Sequence, residues 1–172
     1  IRFENMKRYL LLFCFVSFFA FAAQSSSCLV FTSERELPSN MVNQVIQDRD
    51  GVVWIASEDG LTRFDGSDFT TFKKDDSDTM SLVNNYVKLI YEFGDGCFLI
   101  GTLSGLQLYD HDTRCFTEIP AYIEGRKFSQ GVDVSCVARG CDGSLLVGTS
   151  GYGLFVLDCN SDSLALVQDL EL

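Results

Sequence analysis

The sequence predicts an all-β protein: about three four-stranded antiparallel blades of an incomplete β-propeller, preceded by an N-terminal signal helix. Two observations carry this. The stretch Leu37–Asp65 holds three short apolar runs separated by Asp50-Gly51 and Asp59-Gly60. Gly supplies φ > 0 at a chain reversal without steric cost. The runs between are rich in Val, Ile, Trp and Phe, which fit a pleated, half-buried surface. The same landmarks then recur. Asp50-Gly51 returns as Asp95-Gly96 and as Asp142-Gly143, so the first glycine moves by 45 and then 47 residues. Gly60 returns as Gly105 and Gly153, and Asp65 as Asp110 and Asp158. A period in the forties built from short strands marks a propeller blade.

Ahead of the repeats, Met6 reads as the start of translation. Lys7 and Arg8 form a basic region, Tyr9 to Ala22 is almost unbroken apolar sequence, and Ala20-Phe21-Ala22 offers a cleavage site. Residues 1–22 are therefore expected to be a signal peptide and the mature protein to be exported. The apolar run falls short of the roughly 20 residues that a spanning helix needs, which argues against an uncleaved anchor. Cys28 lacks the aliphatic residue three positions before it that a lipoprotein signal requires.

Residues 29–172 are expected to form the partial propeller. Leu29-Val30-Phe31-Thr32 reads as an isolated strand, of the kind that closes a ring by joining its last blade. Blade one spans about 37–74, with strands at Val42–Asp48, Val53–Ser57, Leu61–Asp65 and Phe69–Lys73. Blade two spans about 82–119, with strands at Tyr86–Glu92, Cys97–Thr102, Leu106–Asp110 and Arg114–Glu118. Blade three spans about 132–168, with strands at Val134–Arg139, Ser144–Thr149, Leu154–Asp158 and Leu164–Val167. Lys73–Thr79 and Pro120–Gly131 read as connectors. The first two strands of each blade are nearly continuous apolar runs, as expected of strands covered on both faces. Ala56, Gly101 and Gly148 mark a close backbone approach in the second strand.

The chain of 172 residues is 47% hydrophobic, enough for a packed core, and its net charge is −11. That balance excludes nucleic acid as a partner, because phosphates need Lys and Arg opposite them. There are 7 Cys and 1 His. No Cys pair has zinc-ligand spacing, so no metal or cofactor is expected. Most of the Cys read as small buried hydrophobes.

Asp50, Asp95 and Asp142 invite a carboxylate-site reading. Each sits in the same turn of its own repeat, and turn chemistry accounts for all three. Gly51, Gly60, Gly96, Gly105, Gly143 and Gly153 are likewise turn residues. His111 lies in the tight Asp110–Thr113 turn with no nucleophile marked beside it. Trp54 reads as core in a buried strand rather than as a sugar platform. No catalytic residue is found, and no ligand-binding residue is assigned.

The run Leu37-Pro38-Ser39-Asn40 through Asp48-Arg49-Asp50-Gly51, Trp54-Ile55-Ala56-Ser57 and Gly60-Leu61-Thr62-Arg63-Phe64-Asp65-Gly66 resembles the two-component regulator propeller repeat. That repeat continues from its turn as Trp-Ile-Gly-Thr and closes as Gly-Leu-x-x-Tyr/Phe-Asp. Repeats two and three keep Gly101-Thr102 and Gly148-Thr149 but carry Leu99 and Leu146 in place of the Trp. The resemblance covers about Leu29 to Val167. It implies the N-terminal part of the periplasmic sensor region of a Bacteroides-type hybrid two-component system. In such proteins many repeats form two propellers, followed by a small β-sandwich, a transmembrane helix, a histidine kinase, a receiver and a DNA-binding module. The implied role is detection of carbohydrate fragments and control of glycan-utilisation genes. The implied partners are an oligosaccharide, the missing blades, the downstream membrane and kinase modules, and a second copy in a homodimer of the full-length protein. The implied location is the periplasmic side of the inner membrane. The runner-up readings are an exported propeller enzyme acting on polysaccharide, a glycoside hydrolase or lyase, which would need clustered carboxylates, and a non-catalytic interaction propeller.

Overall fold

A computed structural model describes residues 30–94, 96–129 and 131–158, and the backbone of 165–168. The chain divides after Val30, and every element below belongs to the unit from Phe31 onward. The signal peptide, Leu29, Asp95 and Cys159 lie outside the described residues.

Three sheets follow one another along the chain. The first holds β1 (Val42–Gln47), β2 (Val53–Ser57), β3 (Gly60–Phe64) and β4 (Phe69–Phe72), in that order. The second holds β5 (Val87–Gly94), β6 (Cys97–Thr102), β7 (Gly105–Asp110) and β8 (Cys115–Ile119), also in order. All ladders in these two sheets are antiparallel. Each sheet is one propeller blade. The third contains β11 (Asp133–Arg139), β12 (Leu145–Ser150), β13 (Gly153–Asp158) and β14 (Ala165–Gln168).

The third sheet is wider than the sequence predicts. A hairpin of β9 (Ala121–Ile123) and β10 (Arg126–Lys127) occupies the expected connector, and β9 lies parallel to β14. The hairpin forms because Glu124 and Gly125 both adopt positive φ, +50° and +70°. A two-residue turn with both centres in that region matches the twist of the strands it joins.

The isolated strand expected at 29–32 is not formed by its described residues. The Thr32 carbonyl instead accepts from the amides of Arg35, Glu36 and Leu37. A local turn thus satisfies the backbone that a ladder would have used. Phe31 keeps an apolar role, with its ring 5.4 Å from Phe64 and 5.1 Å from Phe69. Strand β8 begins at Cys115 rather than Arg114, because Arg114 closes the preceding turn at φ +58°.

Two cores lie between the three blades. Trp54, Ala56 and Leu61 of blade one meet Val87, Ile90, Phe98, Ile100, Tyr109 and Phe116 of blade two. On the other side, Leu89, Leu99 and Leu106 of blade two meet Val134, Val147, Phe155 and Leu157 of blade three. Strand β6 shows the division, since Phe98 and Ile100 face one neighbour and Leu99 the other. A strand buried on both faces reads as an unbroken apolar run. Gly101 permits this packing, because a Cβ there would sit 2.7 Å from Leu89 and 2.9 Å from Val134.

The cysteines differ from the expectation. Cys97 and Cys115 are half-buried, and Cys136 and Cys141 are exposed. Cys97 and Cys115 open β6 and β8, Cys141 lies in a turn, and Cys136 sits in the middle of β11; none is in either core.

Candidate functional site

The innermost strands carry a bulge at the same point in every blade. Register shifts leave Asn43, Lys88 and Ser135 without a partner residue on β2, β6 and β12. A bulge re-aims its side chain out of the ladder, and here these side chains tie blades together. Asn43 Nδ2 donates to the Val87 carbonyl at 2.7 Å. Lys88 Nζ donates to Asp133 Oδ1 at 2.6 Å and to Ser135 Oγ at 3.2 Å. Beside them, the Ile90 amide donates to Gln44 Oε1 at 2.7 Å, and Tyr86 Oη donates to Glu58 Oε1 at 3.0 Å. The Glu58 bond holds the Tyr86 phenol above its usual pKa.

A hydroxyl at or next to the end of each second strand closes the turn to the third. Ser57, Thr102 and Thr149 donate to the carbonyls of Gly60, Gly105 and Gly153 at 2.9, 3.0 and 2.8 Å. This is the physical content of the Ser/Thr position in the repeat.

Among the described turn candidates, the first glycine of each repeat lies between strands and the second opens the third strand. Gly51, Gly96 and Gly143 adopt φ of +85°, +73° and +89° between first and second strands. Gly60, Gly105 and Gly153 adopt +136°, +155° and +77° at the start of the third. Asp50 and Asp142 stand in the first of these turns on different blades and form no joint site. Asp142 accepts from the hydroxyl and amide of Ser144, which hold its carboxyl below the usual range.

At the Asp-Gly-turn end, a cleft of about 350 Å³ opens between blades one and two. Its lining includes Asp48, Arg49 and Asp50 from blade one and Glu92, Phe98 and His111 from blade two. Arg49 Nε meets Glu92 Oε1 across it at 3.1 Å. Asp48 is fully engaged: Oδ1 accepts from the amides of Asp50 and Val52, and Oδ2 from Trp54 Nε1. Arg63 and His111 also line a smaller adjoining cavity of about 80 Å³, together with Tyr109 and Arg114.

Arg63 is the residue that sequence reading passed over. It pairs with Trp54 across β2 and β3 and faces blade two. Its Nη1 donates to Asp65 Oδ2 at 3.1 Å. Asp65 is already held by the Asp68 amide, the Ser67 amide and the Ser67 hydroxyl, which depress its pKa strongly. Arg63 Nε is buried and has no hydrogen-bond partner among the described residues. The signal was present in the repeat: Arg63 stands where repeats two and three hold Leu108 and Val156.

The first strands of blade one have a counterpart among known families. Residues 36–59 match the model of the two component regulator propeller. Residues 36–59 carry one two-component regulator propeller repeat. The stacked propeller blades match solved structures as well. One is the extracellular domain described as that of hybrid two component system BT3049 from B. thetaiotaomicron, at 25% identity and a TM-score of 0.68 over 80% of this chain. Another is the corresponding domain of BT4673 from the same organism, at 23% identity and a TM-score of 0.62 over 86% of this chain. The chain spans 19% of the length of each of these solved domains. No curated protein matches it.

Proposed function

We propose that this chain is part of an exported sensor propeller of a hybrid two-component system, anchored at the inner membrane and facing the periplasm. In this reading it detects carbohydrate fragments and controls glycan-utilisation genes through kinase modules of a longer protein. The observation that carries the reading is the repeat match at residues 36–59 together with the likeness of the blade stack to an extracellular domain of such a system. The repeat's acids support a non-catalytic role, since turn hydrogen bonds use Asp48, Asp65 and Asp142 on separate turns. The remaining blades and a second copy of the protein are its structural partners.

An in-frame deletion of the blade-coding segment tests this. Transcripts are compared with the parent strain across a panel of polysaccharides as sole carbon source. Loss of induction of one set of glycan-utilisation genes is the expected result. An unchanged transcript profile on every glycan overturns the reading.

A further inference from the structure

From the cleft between blades one and two we infer that it receives a sugar acid, with Arg63 and its neighbours taking the ligand's carboxylate. The sugar part rests on the sensor reading above; the carboxylate part rests on the cleft itself. Both walls of this cleft are built from described residues. About 350 Å³ accommodates a small sugar.

The choice of charge follows from which groups are engaged. In a chain of net charge −11, Arg49, Arg63, His111 and Arg114 gather around one cleft and its side cavity. Most of the acids there are spoken for. Asp48 serves three donors, Glu92 meets Arg49, and Asp65 serves its own turn and Arg63 Nη1. Arg63 retains its Nε–H, which finds no acceptor among the described residues. A guanidinium with one end bound to Asp65 leaves the edge formed by Nε and the other terminal nitrogen; Nε lies below the surface, and a carboxylate would reach it by a shift of the side chain toward the cleft. That edge matches a planar carboxylate with two parallel bonds.

One further observation points the same way. The repeat needs no cation at this position, since Leu108 and Val156 occupy it elsewhere. Asp50 also lines the cleft, and its charge opposes an incoming carboxylate.

Trp54 provides the readout. It is the single Trp of the chain, and its indole bonds Asp48 in the cleft wall. The whole chain, at submicromolar concentration, is titrated with glucuronate, glucose and acetate while Trp54 emission is followed. Glucuronate is expected to give a saturable change, glucose none, and acetate a much weaker one. Arg63→Leu, the residue of repeat two, is expected to weaken glucuronate about tenfold or more while the thermal melt persists. Should that variant fail to fold, Arg63→Lys makes the same comparison, keeping charge and losing the planar edge. Asp50→Asn is expected to tighten binding. Equal responses to glucuronate and glucose, or a glucuronate response untouched by both Arg63 variants, overturn the inference. Acetate matching glucuronate overturns its sugar part. Gene induction by polysaccharide without any glucuronate response sinks the cleft site and spares the sensor reading. Glucuronate binding without gene induction does the reverse.

Discussion

Asp48 and Trp54 hold each other in place. Asp48 Oδ2 accepts the Trp54 indole N–H at 2.9 Å, while Oδ1 accepts the amides of Asp50 at 3.0 Å and Val52 at 2.9 Å. One carboxylate thus folds the Asp-Gly turn and pins the largest side chain of the first core, which is fully buried. The other repeats have lost both members together. They carry Phe93 with Leu99, and Gly140 with Leu146. A buried indole N–H needs an acceptor, and a Leu does not.

The first prediction follows from that pairing. Asp48→Ala leaves the Trp54 N–H buried without an acceptor and should cost about 1–3 kcal/mol. In a Trp54→Leu background the same change should cost distinctly less, because the indole is gone. A double-mutant cycle by denaturant unfolding measures the difference. Additive losses would mean that Asp48 acts through the turn alone.

The second concerns two glycines. Gly60 has φ +136°, and a Cβ there would lie 2.7 Å from the Phe72 carbonyl. Gly60→Ala should therefore destabilise by roughly 1–3 kcal/mol. Gly51 has φ +85° with open space around it, its nearest neighbour being Gln47 Nε2 at 3.8 Å. Gly51→Val should cost about 1 kcal/mol or more from the backbone alone. Gly51→Asn should recover much of that loss, since Asn tolerates this region. Chemical denaturation of the three variants checks the order, and equal losses at both sites would refute the steric part.

Much of this architecture is legible in the sequence because turns and strands are local. An Asp-Gly turn and a short unbroken apolar run are set within a few residues, and strands Val53–Ser57 and Cys97–Thr102 appear as read. The hairpin at 121–127 escaped because its turn is Glu124-Gly125 rather than Asn-Gly or Asp-Gly, although Tyr122-Ile123 ahead of it is strand-like. The bulges at Asn43, Lys88 and Ser135 are not legible, because a bulge shows only when the partner strand is in register. Their ties are long-range: Lys88 meets Asp133 from the next repeat. Arg63 was legible only by laying the repeats over one another, and its orphan Nε depends on packing across two blades.

The third prediction is the response to acid. Asp65, Asp110 and Asp142 lie at equivalent or neighbouring turns, and all have pKa values below the usual 3.8. The leading causes are the amides of Asp68 and Ser67 for Asp65, the Thr113 amide for Asp110, and the Ser144 hydroxyl for Asp142. A carboxyl held below its unfolded value stabilises the fold above that value and loses the contribution as pH falls through its folded pKa. These groups should leave the melting temperature unchanged between pH 7 and about 5, then lower it below about pH 4. The Asp65→Asn/Asp110→Asn/Asp142→Asn triple variant should show a shallower acid decline in a series of thermal melts. An identical acid limb in both proteins would remove these turns from the account.

The last prediction concerns the outer faces. Matching positions of the repeats show what a neighbouring blade does. On the first strand, Val87 is 0% exposed and Ile90 2%, while their counterparts Val42 and Val45 in blade one are 42% and 56% exposed. On the third strand, Leu106 is 0% exposed and its counterpart Leu154 in blade three is 40% exposed. The same repeat position is thus buried wherever a further blade covers it and open where none does. Apolar faces of this kind drive association when the stack stands alone. The chain of 172 residues, expressed by itself, should therefore associate as concentration rises. Light scattering between about 1 and 100 µM spans the micromolar range in which exposed apolar surface drives assembly. Val45→Lys opposes one face and Leu154→Lys the other, and the two together should lower the mean mass more than either alone. A monodisperse monomer with a sharp cooperative melt at all concentrations would show that three blades suffice without their neighbours.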